Sequence, residues 1–234
     1  MRVVFVHGAF VRDGAWWWSR MEPELKELGL GSQAVELPSC GPSEDGLGDL
    51  YADSDAVRAV LDEDDEPVLL CGHSYGGVVI TDAAAGHPNV RHLIYITSFL
   101  PDRHESLADF SAEEPAPFLD PGDDGTVGVR AELLPPLFMQ DCDEDAVAEG
   151  LSRVTRQSGA VFGQLPRAVA WRTIPSTYVV CADDLATSPE LQRAQALRAG
   201  RVVELATGHH PFISRPDLLA AVLGEIAAAE PANR

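Results

Sequence analysis

No apolar stretch of the chain is long enough to span a bilayer, which takes about 20 consecutive apolar residues as a helix. Cysteine is sparse: Cys40, Cys71, Cys142 and Cys181 are scattered, with no Cys-x-x-Cys pair. Zinc-type spacing is therefore absent, and a disulfide framework is not expected in a chain of this size without a secretion signal. Cys71 and Cys181 lie in apolar runs and read as buried thiols. Basic residues are scarce too, 17 Lys and Arg against 37 Asp and Glu, for a formal charge of −20. Such a surface repels phosphate backbones and anionic lipid, so neither nucleic acid nor membrane is an expected partner. Met1-Arg2 leads directly into an apolar run broken by His7-Gly8, without a small-residue cleavage site. That run reads as a strand, not a signal peptide, and a cytoplasmic location is expected. The acidic run Asp62–Glu66 lacks the glycine and spacing of a calcium loop and reads as solvated. There is no internal repeat and no low-complexity tract.

What is present is 234 residues, 45% of them hydrophobic, enough to bury a sizeable core in one α/β unit. Short apolar runs alternate with helical patterns. The expected strands are Arg2–Val6, Gln33–Leu37, Val68–Cys71, Leu93–Thr97, Thr177–Cys181 and Arg201–Leu205. Most are continuous rather than alternating, which suits strands buried on both faces of a parallel sheet. The expected helices are Trp16–Leu28, Leu50–Leu61, Gly76–Ala85, Pro189–Ala199 and Pro216–Ala229. The alternation predicts a mostly parallel, doubly wound sheet of about six strands. The stretch from Pro101 to about Arg172 breaks the rhythm. It is rich in Pro, Asp and Glu, shows no good buried strand, and has short helices at Asp143–Ser152 and near Ala131–Phe138. It falls between two sheet strands, so it reads as a mainly helical cap, 101–172, inserted into a core of 1–100 and 173–234. Residues Glu230–Arg234 are expected to fray.

The segment Cys71–Gly77 reads CGHSYGG. Within it Gly72-His73-Ser74-Tyr75-Gly76 fits G-x-S-x-G, with an apolar strand before it and a small-residue helix after. In such a nucleophile elbow the turn is so sharp that the serine backbone is strained, and glycines two residues to either side relieve a clash. The serine oxygen then stands clear at the carboxyl edge of the sheet, where α/β sheets place ligands. A serine hydroxyl needs a base to take its proton, and at an elbow the acid and then the histidine follow in chain order. Asp183-Asp184 follows one expected strand and His209-His210 follows the next. Asp184 is favoured over Asp183 because it lies further into the loop. On position alone, His209 and His210 remain alternatives. The oxyanion needs two backbone N–H donors: Tyr75, after the serine, and Ala9, in the loop after the first strand, where Gly8 permits close approach. His7 reads as a structural hydrogen-bonding residue.

These motifs resemble the α/β-hydrolase superfamily, and within it the branch of plant methyl-ester esterases, hydroxynitrile lyases and EstC-like or pyrethroid-hydrolase-like bacterial carboxylesterases. The resemblance runs nearly end to end, through VHGAF (Val6–Phe10), LPSCG (Leu37–Gly41), GHSYGG (Gly72–Gly77), FLPD (Phe99–Asp102), IPSTYVVCADD (Ile174–Asp184) and GHHPFISRPDLL (Gly208–Leu219). It implies a triad of Ser74, Asp184 and His209 with the Ala9 and Tyr75 amides as the oxyanion hole. The lyases of this branch carry threonine where Gly8 stands and lysine where His210 stands, so ester hydrolysis is the expected chemistry. The loop Val11–Ala15 is longer than the resemblance leads one to expect.

The expected function is cleavage of small to medium hydrophobic esters through an acyl-enzyme, without metal or cofactor, by a monomer or homodimer. Phe110, Phe118, Leu133, Leu137, Phe138, Phe162 and Trp171 of the cap, with Phe10, Tyr75 and His210, are candidates for the pocket wall. At least one tryptophan of Trp16-Trp17-Trp18 is expected at the surface or the pocket entrance. The rival readings are lyase chemistry in the same site and a small-ligand-binding protein with little turnover.

Overall fold

All five residues of β1 (Arg2–Val6) are buried, and they alternate between two cores. Val4 and Val6 join one hydrophobic cluster, Val3 and Phe5 the other. A strand with successive side chains on opposite faces and four apolar residues in a row, Val3–Val6, must be covered on both sides. The computed structural model describes residues 1–41, 46–110 and 116–230; the expected fraying thus falls, for 231–234, outside the described residues.

Along the chain β1 is followed by α1 (Gly14–Trp18), α2 (Met21–Glu27), β2 (Gly31–Val35), α3 (Leu50–Leu61), β3 (Val68–His73), α4 (Gly76–Ala83) and β4 (Val90–Ile96). The insertion then carries β5 (Leu119–Pro121), β6 (Thr126–Val129), α5 (Leu134–Phe138), α6 (Glu144–Ser152), β7 (Gln157–Ser158) and α7 (Ala160–Gly163), besides three short 3-10 turns. The sheet resumes with β8 (Ser176–Cys181), α8 (Pro189–Ala196), β9 (Arg201–Leu205), α9 (Pro211–Ser214) and α10 (Pro216–Ala229). The six-stranded sheet has the order β2-β1-β3-β4-β8-β9, and every pairing is parallel. The inner strands are almost wholly buried, whereas β2 and β9 at the two edges are half exposed. On one face Leu50, Val57 and Leu61 of α3 and Val78, Val79 and Ala83 of α4 close the core. On the other, Met21 and Leu25 of α2 and Leu219, Leu223 and Ile226 of α10 do so. Asp49 caps α3, accepting from Tyr51 N and Ala52 N at 3.0 Å each, which satisfies two of the amides a helix start leaves free.

Two expectations need correction. The helix expected over Trp16–Leu28 is two helices. Ser19 Oγ donates to Trp16 O (2.7 Å) and Ser19 N to the same carbonyl (3.1 Å), a local bond that competes with the helical ladder. Trp17 and Trp18 can then both be buried while Trp16 stays half exposed, its ring under the Arg153 guanidinium. The insertion is not helical throughout: β5, β6 and β7 form a three-stranded antiparallel sheet. These strands are short and half exposed, so they lack the apolar runs that mark the main sheet.

The turn between β3 and α4 is packed against backbone on both sides. A β-carbon on Gly72 would stand 2.6 Å from Gly76 O, and one on Gly76 would stand 2.5 Å from Val6 O and 2.7 Å from His7 O of the neighbouring strand. These obstacles are backbone, so they cannot rotate away. Gly76→Ala is expected to lower the free energy of unfolding by at least about 2 kcal/mol; urea denaturation of both proteins measures it, and an unchanged midpoint would mean that the turn has slack.

Candidate active site

Ser74 occupies the turn just described with φ of +50°, a left-handed conformation that costs a non-glycine residue energy. The turn is held by Ser74 N donating to Ile96 O (3.1 Å) and by Ser98 Oγ donating to Ser74 O (2.5 Å). Gly8 lies close against it: a β-carbon there would stand 3.1 Å from Ser74 Cβ and 2.9 Å from His73 Nδ1. The expected oxyanion donors fall beside the serine. Ala9, Ser74 and Tyr75 line one cavity, and neither the Ala9 nor the Tyr75 amide donates to a carbonyl of the described residues.

Of the two aspartates, Asp184 is buried and Asp183 is exposed. Asp184 Oδ2 lies 2.8 Å from His209 Nδ1 and also accepts from Thr97 Oγ1 (2.5 Å) and Gln192 Nε2 (3.2 Å). Its Oδ1 accepts from Ala186 N (2.8 Å) and Thr187 N (3.0 Å). Burial pushes this carboxyl's pKa up, but the neighbouring His209 and the donated hydrogen bonds outweigh it, and the net shift is downward. An ionised acceptor at Nδ1 puts the imidazole proton there and turns His209 Nε2 outward as a lone pair. No hydrogen bond joins Ser74 Oγ to His209 among the described residues; both line the same cavity, and such bonds often tighten only around substrate.

Three other histidines near the site each have a ring nitrogen committed to a hydrogen bond. His210 Nδ1 donates to Phe138 O (2.8 Å), and burial, then the neighbouring His209, push its pKa down to about 3. His73 Nε2 donates to His209 O (2.9 Å), and burial holds its pKa well below the ordinary value. His7 Nδ1 donates to Gly8 O (2.8 Å) while its Nε2 accepts from Leu37 N (3.3 Å). It braces the Gly8–Ala9 loop, as expected of a structural residue.

The cavity measures about 500 Å³. Phe10, Phe110, Phe138, Phe162 and His210 all line it, as does Phe118. Leu133, Leu137 and Trp171 do not. Leu134 and Phe138, four residues apart on α5, take the inner face, which turns Leu133 and Leu137 away. Trp171 instead donates from Nε1 to Pro101 O (3.0 Å). Trp17, not Trp16, reaches the cavity wall.

Sequence reasoning missed the residues behind these groups. Thr97 and Gln192 hold Asp184. Asp53 on α3 accepts from Tyr75 Oη (2.6 Å), Ser39 Oγ (2.6 Å) and Ser39 N (2.8 Å), anchoring the side chain whose amide borders Ser74. Burial raises the Asp53 pKa despite those bonds. The available signal was an acid on the buried stripe of α3, beside Leu50 and Val57.

A family model described as the alpha/beta hydrolase family matches residues 3–222. The chain belongs to that family. Among curated relatives it is 27% identical over 260 residues to "Methylesterase 8" of Arabidopsis thaliana, spanning 96% of this chain and 88% of the relative. It is 26% identical over 249 residues to "Pyrethroid hydrolase" of Sphingobium wenxiniae, spanning 97% and 88%. Among solved structures, a pyrethroid hydrolase from Sphingobium faniae JZ-2 superposes with a TM-score of 0.86 at 27% identity, covering 98% of each chain. These relatives place the protein with carboxylesterase-type hydrolases. No helix among the described residues is long and apolar enough to cross a membrane.

Two measurements probe this architecture. Asp53→Ala leaves the Tyr75 hydroxyl and both Ser39 donors without their acceptor, and is expected to cost about 3 kcal/mol in urea unfolding; a loss below about 1 kcal/mol would mean that the network is solvated. The buried histidines set an acid dependence. His210 is neutral when folded down to about pH 3, whereas in the unfolded chain it takes up a proton near pH 6.5. Its contribution to stability is therefore complete above about pH 6.5 and is lost as the pH falls, by up to about 1.4 kcal/mol per pH unit. His210→Gln is expected to flatten the pH dependence of the unfolding free energy between pH 6 and 5 by about that amount. An unchanged slope would show that His210 is not held neutral.

Proposed function

We propose that this protein is a serine carboxylesterase that cleaves neutral, mainly apolar esters of small to medium size. The observation that carries the reading is the contact of His209 Nδ1 with the buried Asp184 carboxylate at 2.8 Å, in the cavity that Ser74 lines from a left-handed turn. Ser74 Oγ attacks the ester carbonyl while His209 Nε2 takes its proton. Asp184 fixes the imidazole tautomer and stabilises the cation that forms. The Ala9 and Tyr75 amides receive the negative charge of the tetrahedral oxygen. His209 returns the proton to the departing alcohol, and a water activated by the same nitrogen hydrolyses the acyl-Ser74 ester. Every residue in the sequence needs only its own protons, so no metal or cofactor enters the reaction.

The lining of the cavity supports the substrate class. Among the described residues it contains no Asp, Glu, Lys or Arg, and Phe side chains from both the core and the insertion make up much of its wall. A charged acyl or alcohol group would lose its hydration there without a partner. Cyanohydrin cleavage has less support, since Gly8 offers no hydroxyl and His210 is a neutral ring whose Nδ1 is committed to Phe138 O.

Initial rates on p-nitrophenyl esters from acetate to decanoate test the reading. Wild type is expected to turn over the short and medium chains. Ser74→Ala and Asp184→Asn are each expected to lose about 10³-fold or more in kcat, with KM little changed. Equal rates for wild type and Ser74→Ala would overturn it, and mandelonitrile cleavage without ester turnover would replace it with the lyase chemistry.

A further inference from the structure

Three imidazoles meet at the inner end of the cavity. The His73 ring lies 4.6 Å from that of His209 and 5.1 Å from that of His210, and the last two are 5.0 Å apart. One ring nitrogen of each lies within 4.8 Å of one from each of the others, and all three residues are buried. Every ring has one nitrogen tied to an oxygen that can only accept: His73 Nε2 to His209 O, His209 Nδ1 to Asp184 Oδ2 and His210 Nδ1 to Phe138 O. Those nitrogens carry the protons. The opposite nitrogens, His73 Nδ1, His209 Nε2 and His210 Nε2, are lone pairs whenever the rings are neutral. None of the three accepts a hydrogen bond from the described residues, and none is among the sealed polar atoms that lack a partner. They open onto the cavity that all three residues line.

A ring with one nitrogen pinned to a carboxylate or carbonyl and the other offered as a lone pair is the form in which histidine ligates metals. Three such neutral nitrogens, with no carboxylate or thiolate among them, suit zinc, cobalt, nickel or copper and not magnesium or calcium. We propose that His73, His209 and His210 form a binding site for one divalent transition-metal ion of the zinc class, and that occupancy reversibly silences the serine site. Metal–nitrogen bonds of about 2.0–2.1 Å place tetrahedral donors about 3.3 Å apart. A ring nitrogen of each residue already lies within 4.8 Å of one from each of the others, so inward shifts of about 1 Å each bring such a trio to that spacing. The fourth position faces the cavity, where water or Ser74 Oγ completes the set. The surrounding charge of −20 raises the local concentration of divalent cations. Silencing rests on the proposed role of His209, because coordination occupies the lone pair that would take the Ser74 proton. Binding itself does not rest on it.

The test uses the full chain. Its probes are ZnCl2 by calorimetry, CoCl2 by visible ligand-field absorption, and p-nitrophenyl butyrate rates with and without EDTA. The expected result is one ion per chain, a cobalt band, and inhibition that follows the binding curve and is reversed by EDTA. His210→Gln, checked for folding by circular dichroism, is expected to weaken binding at least tenfold, whereas Cys40→Ser and Cys142→Ser leave it unchanged. Long-range ¹H–¹⁵N spectra of the wild type give a readout without substitution: zinc should shift three of the seven histidines, with His7, His87, His92 and His104 unmoved. Absence of a cobalt band at millimolar metal, binding undiminished in His210→Gln, or binding lost in a cysteine variant overturns the proposal. A His210-dependent band without inhibition overturns the silencing and, with it, His209 as the base. A band in a protein that hydrolyses no ester upholds the metal site while the esterase reading falls.

Discussion

Everything in this molecule is arranged around one steric constraint, the near-collision of three backbone segments at the β3–α4 turn. Gly72, Gly76 and the end of β1 approach so closely that a single methyl group at either glycine has no room. The squeeze forces Ser74 to positive φ and brings the Gly8–Ala9 loop beside it. It also sets which strand ends face the cavity, because β4 and β8 continue the same parallel register and deliver Thr97 and Asp184 to the same edge. Side-chain chemistry here is a consequence of backbone packing.

The insertion does more than cover the cavity. Its return segment is stitched to the loops that border Ser74. Thr155 N donates to Phe10 O (2.8 Å), Arg12 N to Arg153 O (3.0 Å) and Ser158 N to Ser39 O (2.9 Å), and Gln157 Nε2 reaches Ser39 Oγ (2.9 Å) above Asp53. On the opposite side, Asp141 Oδ2 accepts from Gly208 N (2.6 Å), Gln140 Nε2 donates to Asp183 O (2.8 Å) and Phe138 O holds His210. The same stretch of chain therefore shapes the pocket and fixes the loops carrying Ala9 and His209.

Legibility in the sequence followed the range of the interactions. The strand cores and the elbow glycines are local patterns, and they stand where the pattern puts them. The order serine, acid, histidine is read from the same kind of pattern, and the structure puts Ser74 and His209 on one cavity with Asp184 2.8 Å from His209. Helices α3 and α10 begin and end as read, since an Asp cap or a first-turn proline marks their starts. The edge strand β2 was read late because it is half exposed and lacks a continuous apolar run. The break after Trp18 depended on one serine side chain. Thr97 and the Ser39–Asp53–Tyr75 network were hidden because each acts on a partner distant in sequence, and Gln192, eight residues from Asp184, because its contact depends on how α8 folds back on the end of β8. Polar residues on buried helix faces, Asp53 on α3 and Gln192 on α8, are the trace such networks leave. The choice of Asp184 over Asp183 is a matter of burial, which adjacent identical residues do not reveal.

The contrast between a cavity walled without formal charge and a surface carrying −20 bears on what happens after bond cleavage. Ester hydrolysis turns a neutral molecule into a carboxylate. On the proposed reading that anion forms beside the Ala9 and Tyr75 amides and the His209 imidazole, and it moves outward into a potential of its own sign. A neutral ester of the proposed class feels little of that field, while its acid product is driven along it. The acidic surface thus acts as a one-way bias on the pocket, favouring departure of the acid over its return.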